Sequence, residues 1–137
     1  MPFDYSIPVL IVDDASTMTR IIRNLLRRIG FNDIDEAPGG VSALAKMKLK
    51  RYGLVISDWN MTPMSGIDLL RQVRADPCLG KIPFIMVTAE ARREQVITAK
   101  ETGANNYIIK PFDTQTLKAK IEAVFAAKPK LVLLPDC

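Results

Sequence analysis

The chain has 137 residues, 48% apolar and 25% charged, with 7 glycines, 9 prolines and a formal net charge of +4. That composition excludes a disordered, collagen-like or low-complexity polypeptide, and the length suits one domain with its own core. No stretch approaches the roughly 18 apolar residues of a membrane helix, and the N-terminus has no basic or apolar signal region, so no membrane insertion and a cytoplasmic location are expected.

Histidine is absent, which removes a Ser/His triad, a histidine-ligated zinc site and a histidine base together. Cys78 and Cys137 match no metal or redox spacing and read as free thiols. The basic residues are dispersed through amphipathic segments instead of forming one run, so no nucleic-acid partner is expected, and the chain reads as a monomer.

In chain order, short apolar runs alternate with segments of helical period. The first run, Val9 to Val12, is followed by Met18, Ile21, Ile22, Leu25, Leu26 and Ile29 at helical spacing, with arginines largely off that stripe and Gly30 as the stop. Ile34 and its neighbours make a second strand, and Val41, Leu44, Ala45 and Lys48 mark a second helix. Leu54 to Ile56 is the third run; Ile67, Leu70 and Val73 carry a helix that stops at Asp76 before Pro77. Phe84 to Val87 is the fourth strand. The helix after it, about residues 91–102, has only Val96 and Ile97 as large apolar residues, so it is expected to be the most mobile. Tyr107 to Ile109 is the fifth strand, and Asp113 caps a final helix with Leu117, Ile121, Val124 and Phe125 on its inner face. The domain is read as residues 1–127 and residues 128–137 as a tail, whose apolar patch, Leu131 to Leu134, the sequence does not place.

Five alternations of strand and helix predict an α/β fold, a parallel sheet covered on both faces and joined by right-handed crossovers. Ligands of such sheets bind beyond the carboxyl ends of the strands. Those ends carry Asp13 and Asp14, Asp58, Thr88 and Lys110. Singly, each has a bland reading as a helix cap, a turn residue or a solvated lysine. Together they have no packing purpose.

Two carboxylates about 4 Å apart repel by roughly 4 kcal/mol at an effective dielectric near 20, so three acids must hold protons or attract a cation. Oxygen ligands without imidazole or thiolate select Mg²⁺ or Mn²⁺, commonly shared with a phosphoryl group. Lys110 then serves as a second counter-charge, Thr88 as a hydroxyl for a phosphoryl oxygen, and Asp58 as the nucleophile that becomes an acyl phosphate. A nucleotide or flavin phosphate fits poorly, because the first loop, DDASTM, is acidic and lacks a glycine-rich cradle.

The segments VLIVDD, ISDWN, MVTAEA and IIKPF, in this order and spacing, resemble the receiver domain of two-component response regulators, most closely its chemotaxis members. The resemblance spans about residues 7–127. It implies a flavodoxin-like doubly wound sheet of order 2-1-3-4-5 with five helices, and Asp58 as phosphoacceptor. It further implies Mg²⁺ on the carboxylates of Asp14 and Asp58 and the backbone carbonyl of Asn60, with Asp13 acting through metal-bound water. Lys110, before a cis bond to Pro111, would contact the phosphoryl group; Thr88 and Tyr107 would move together as a switch; Asn60 and Glu90 would tune the lifetime of the phosphoryl group. The family usually has proline directly after the methionine of this loop. Here Met61 is followed by Thr62 and then Pro63, which shifts the ring constraint by one residue near the Asn60 carbonyl.

The resemblance also implies a CheA-like histidine kinase as phosphodonor and a flagellar motor switch protein as target. The expected docking surface is the fourth helix, fifth strand and fifth helix, with Arg92, Arg93, Lys100, Tyr107, Lys118 and Lys120. Such a chain would be a signalling switch, not an enzyme. A phosphate sink or phosphorelay shuttle of the same fold, or a scaffold with a vestigial site, are the alternatives. An aspartyl-phosphate phosphatase is disfavoured, since two residues beyond Asp14 and Asp58 stand Ser16 and Asn60 in place of a second acid.

Overall fold

Strands that are apolar on both sides need cover on both faces, and helices supply it here. The structure is a computed structural model that describes residues 4–89 and 92–126. In it β1 (Val9–Val12), β2 (Ile34–Ala37), β3 (Leu54–Asp58), β4 (Phe84–Thr88) and β5 (Asn106–Ile109) alternate with α1 (Ser16–Ile29), α2 (Gly40–Leu49), α3 (Gly66–Ala75), α4 (Arg93–Thr102) and α5 (Thr114–Ala126). The strands are all parallel in the order β2-β1-β3-β4-β5, as expected. Glu90 and the tail at 128–137 lie outside the described residues. No described helix is long and apolar enough to cross a membrane.

Alternation along the strands splits the core in two. Val9, Ile11, Leu54, Ile56, Ile85 and Val87 pack with Ile22, Leu26, Leu117 and Ile121 of α1 and α5. On the other face Leu10, Val12, Val55, Phe84 and Met86 pack with Ala43, Met47, Leu69, Leu70 and Val73 of α2 and α3. α4 lies over the edge of this second layer but buries only Ala99.

Two helical stripes differ from expectation. In α1 the fully enclosed residues are Thr19, Ile22, Leu25 and Leu26, while Ile21 stays 45% exposed. Thr19 takes the inner position because its hydroxyl donates to the Ser16 carbonyl (2.8 Å) and so carries no unpaired donor inward. In α2 the inner side is Gly40, Ala43 and Met47, with Leu44 half-buried; Val41 is 65% exposed, and Ala45 and Lys48 face water. Gly40 lies against the Met64 side chain, which a Cβ at that position would force to shift. Cys78, in the turn between α3 and β4, is disulfide-bonded, which corrects the reading of it as a free thiol; Cys137 lies outside the described residues.

Helix ends follow local chemistry. Ser65 caps α3 by accepting from the Asp68 amide (3.2 Å), and Asp113 accepts from the Thr116 amide (2.8 Å) at the start of α5. That second bond holds the Asp113 carboxyl below its ordinary pKa. Gly103 ends α4 at φ +113°, a left-handed conformation that disfavours any side chain.

Beside Gly103 lies a clamp that no sequence pattern announced. The Arg74 guanidinium donates to the carbonyls of Gly103 (3.0 and 2.8 Å), Gly80 (3.2 Å) and Ile82 (2.7 Å) and to Asn105 Oδ1 (3.0 Å). Asn105 Oδ1 in turn accepts from the Phe84 amide (2.8 Å). One side chain of α3 thus ties together the entry to β4, the end of α4 and the entry to β5. Arg74→Met keeps the apolar stem and removes all these donors. It is expected to cost about 2 kcal/mol, read as a lower urea midpoint at unchanged slope.

Candidate functional site

Parallel register decides which residues meet at the carboxyl rim. Val12 pairs with Ser57 and Asp58 with Val87, so Asp13 and Asp58 end neighbouring strands at the same level. Thr88 pairs with Ile109, and the Lys110 amide donates to the Thr88 carbonyl (2.8 Å), which starts the lysine one step beyond the rim. The Trp59 amide donates to Val87 O (2.9 Å), and the Gly66 amide to Trp59 O (2.8 Å), folding the loop after β3 back on itself. Only glycine fits at position 66. A Cβ would meet the carbonyl oxygen of Asp58 and the Met86 sulfur.

Asp13 and Asp58 are 2% and 6% exposed, and Asp14 is exposed. One carboxylate oxygen from each of the three lies within 4.8 Å of the others. Lys110 Nζ sits 2.8 Å from Asp58 Oδ1 and 3.8 Å from Asp13 Oδ2. The other Asp13 oxygen accepts from the Ala15 amide (2.9 Å) at the start of α1. Ala15 is the N-cap residue of α1, and it offers no side-chain bond. Asp13 therefore does part of a cap's work from two residues upstream.

The Asp13 carboxyl is raised above its ordinary pKa. Burial is the main cause, offset by the Ala15 amide and Lys110 and reinforced by the charges of Asp58 and Asp14. Its Oδ2 is fully buried and makes no hydrogen bond among the described residues, Lys110 being too distant for one. A buried carboxylate oxygen without a donor, facing two more carboxylates with a single ammonium nearby, is a donor set for a hard cation. The residues present fit a divalent ion held by Asp13, Asp14 and Asp58.

The other singled-out residues fall around this centre. Asn60 is exposed in the loop after β3, where the Thr62–Pro63 bond is cis; the Lys110–Pro111 bond is also cis, as the resemblance implied. Thr88 is 5% exposed at the end of β4. Tyr107 is half-buried on β5, with Lys120 Nζ 4.7 Å from its ring centroid. Arg92, Arg93 and Lys100 are exposed at and along α4, and Lys118 is exposed on α5. Glu90 lies outside the described residues. Sequence reasoning passed over Gln95 and the Ala15 amide. Gln95 had no motif to mark it, and a backbone donor leaves no trace in residue type.

Comparison with known proteins places this geometry. The family model described as "Response regulator receiver domain" matches residues 9–122. The chain is 52% identical over 117 residues to "Chemotaxis protein CheY-3" of Vibrio cholerae serotype O1, covering 85% of this chain and 90% of that protein. It is 53% identical to "Chemotaxis protein CheY" of Pseudomonas aeruginosa, covering 85% and 94%. Among solved structures, Vibrio cholerae chemotaxis protein CheY4 superposes with a TM-score of 0.81 at 31% identity, covering 87% of this chain and 98% of that one.

Because burial raises the pKa of Asp13, its ionised form disfavours folding at neutral pH. Protonation relieves that cost as pH falls through the raised value towards the unfolded one. Asp13→Asn is expected to raise the urea midpoint of the metal-free chain at pH 7, and the gain should shrink on acidification. The same substitution should weaken Mg²⁺ binding, followed by the fluorescence of Trp59, the sole tryptophan.

Proposed function

The chain belongs to the response regulator receiver domain family, and we propose that it is a chemotaxis switch that accepts a phosphoryl group on Asp58 from a histidine kinase of the CheA type. The observation that carries this reading is the pairing of buried Asp58 with Lys110 at 2.8 Å beside two more acids. The pairing holds one oxygen of Asp58 and so orients the carboxylate towards the open end of the sheet. Oxygen ligands and the orphan Asp13 Oδ2 favour Mg²⁺, with Asp13, Asp14, Asp58 and the Asn60 carbonyl as the residues that would hold it. When bound, the ion neutralises charge on the acceptor carboxylate and on the incoming phosphoryl group.

Asp58 supplies the attacking oxygen and keeps the phosphoryl group as an acyl phosphate; the donor histidine must come from the kinase, since this chain has none. Lys110 is placed to exchange its Asp58 partner for a phosphoryl oxygen, and the Thr88 hydroxyl stands at the next strand end to bond another. The added charge is about −1.5 to −2. Asn60 and Glu90 then set how long it lasts. Movement of Thr88 and Tyr107 passes the change to α4, β5 and α5, where Arg92, Arg93, Lys100, Lys118 and Lys120 suit an acidic segment of a target such as the flagellar motor switch. The chain acts as a switch inside the cell and does not turn over a substrate of its own.

Incubating the chain with Mg²⁺ and either acetyl phosphate or a phosphorylated CheA-type kinase should add one phosphoryl group, located at Asp58 by peptide mass. Chelating the metal or substituting Asp58→Asn should abolish it. An Asp58→Asn chain that accepts phosphate as fast as wild type refutes the assignment. Phosphate uptake without any phosphorylation-dependent gain in affinity for a motor component would mark a phosphate sink.

A further inference from the structure

Beneath α4 the second core layer is incomplete. A small cavity lies between α4 and the ends of the central strands, lined by Trp59, Met86, Thr88, Val96, Ala99 and Tyr107, with Gln95 completing the wall. It has room for about one water molecule. Among the described residues its lining is apolar apart from Thr88, Gln95, the indole N–H of Trp59 and the phenol of Tyr107. Gln95 Oε1 is fully buried and has no hydrogen-bond partner among the described residues. Leaving a buried amide group unpaired is unfavourable, and native interiors seldom do so without a second arrangement that satisfies it.

Among the described lining residues Trp59, Thr88 and Tyr107 each carry a donor, and Tyr107 can bring its own to Gln95 by turning its half-buried ring. Its ring is half-buried at the cavity edge, its outer face covered by the Lys120 ammonium at 4.7 Å. We propose that Gln95 is the landing partner of Tyr107: when the ring turns into this cavity its hydroxyl pairs with the Gln95 side-chain amide, and Lys120 is released from the ring. A phenol both donates and accepts, so the pairing holds for either orientation of the amide. The proposal rests on the switch reading above and adds to it the group that receives the tyrosine and the charge that is set free.

Two consequences follow from size and charge. A ring does not fit where one water does, so α4 must yield as Tyr107 enters. Ala99 is the only residue α4 buries, and Arg74 holds its far end through the Gly103 carbonyl, so the yielding falls on the turn that carries Gln95. Lys120, no longer stacked, becomes available to an acidic partner on the same face where Tyr107 has withdrawn. One rotation thereby alters both the shape and the charge of the surface.

The test uses the full chain labelled with 3-fluorotyrosine, with the Tyr107 resonance assigned by Tyr107→Phe. Mg²⁺ and beryllium fluoride supply the phosphoryl mimic, and the fluorine resonance of the bound beryllium fluoride measures its binding independently of the cavity. In wild type the mimic should shift the Tyr107 resonance to an inward position. Gln95→Leu keeps the size of the side chain and removes the amide; it should bind the mimic with unchanged affinity for Mg²⁺ and lower the inward-to-outward ratio about fivefold, the effect of one hydrogen bond. Lys120→Met, which removes the stacking cation, should raise that ratio about two- to fivefold. An unchanged ratio in Gln95→Leu, with the mimic bound, overturns the proposal and leaves the phosphoacceptor reading intact. A wild-type chain that does not bind the mimic overturns that reading, and this one with it.

Discussion

Everything at the rim of the sheet depends on a shortage of positive charge. Three carboxylates converge there, and Lys110 is the cation that pairs with them, 2.8 Å from Asp58 and farther from Asp13. Water, which would screen such charges on an open surface, is largely excluded from Asp13 and Asp58. Among the described residues each group is compensated sparingly: Asp58 by the ammonium, Asp13 by the Ala15 amide and more weakly by Lys110 at 3.8 Å, Asp14 by the solvent. A site compensated so sparingly has the donor set to hold a hard cation.

Parallel register is what makes the shortage unavoidable. In the observed order β1 and β3 are neighbours, so consecutive strand ends bring Asp13 and Asp58 to one level regardless of the loops that follow. The loops then adjust the details. Gly66 lets the chain after β3 fold onto the Asp58 carbonyl, and the turn into α1 aims its first free amide at Asp13. The chemistry is therefore written in strand ends, and the loops serve to hold it.

This division explains what could be read from the sequence. Apolar runs identified β1, β3, β4 and β5, the polar residues closing those four identified the site, and a helical period identified α1, α3 and α5. The inward side of α2 could not be read, because one of its buried positions is Gly40, and glycine adds nothing to an apolar stripe. Ile21 was misplaced in α1 for a related reason: a self-bonded threonine can occupy an inner position that residue type reserves for an aliphatic side chain. Arg74 looked like surface charge. Its role comes from four oxygens on segments that meet only after folding, and no local pattern encodes such a meeting. Cys78 likewise gave no sign of its bond, since pairing of cysteines depends on distance in space.

The two sides of the sheet differ in how firmly they are held, and the difference has a direction. Around β1 and β2 the structure adds polar ties: Lys50 bridges Asp33 (2.7 Å) and Asp35 (3.0 Å), Tyr52 donates to Asp35 (2.6 Å), and Arg23 pairs with Glu36. Asp35 is held below its ordinary pKa, first by the Tyr52 hydroxyl and then by Lys50, so these ties persist at neutral pH. At the opposite edge α4 buries one residue over an incompletely filled cavity, and its fixed point is the Arg74 clamp at its C-terminal end. A change in charge at Asp58 would meet a firmly tied edge on one side and a weakly packed one on the other. Only the weakly packed one can answer it by rearranging, because interiors at full density resist small displacements while a cavity beside an underburied helix does not. Any response to such a change would therefore be directed towards α4 and β5 by packing, before any partner is considered.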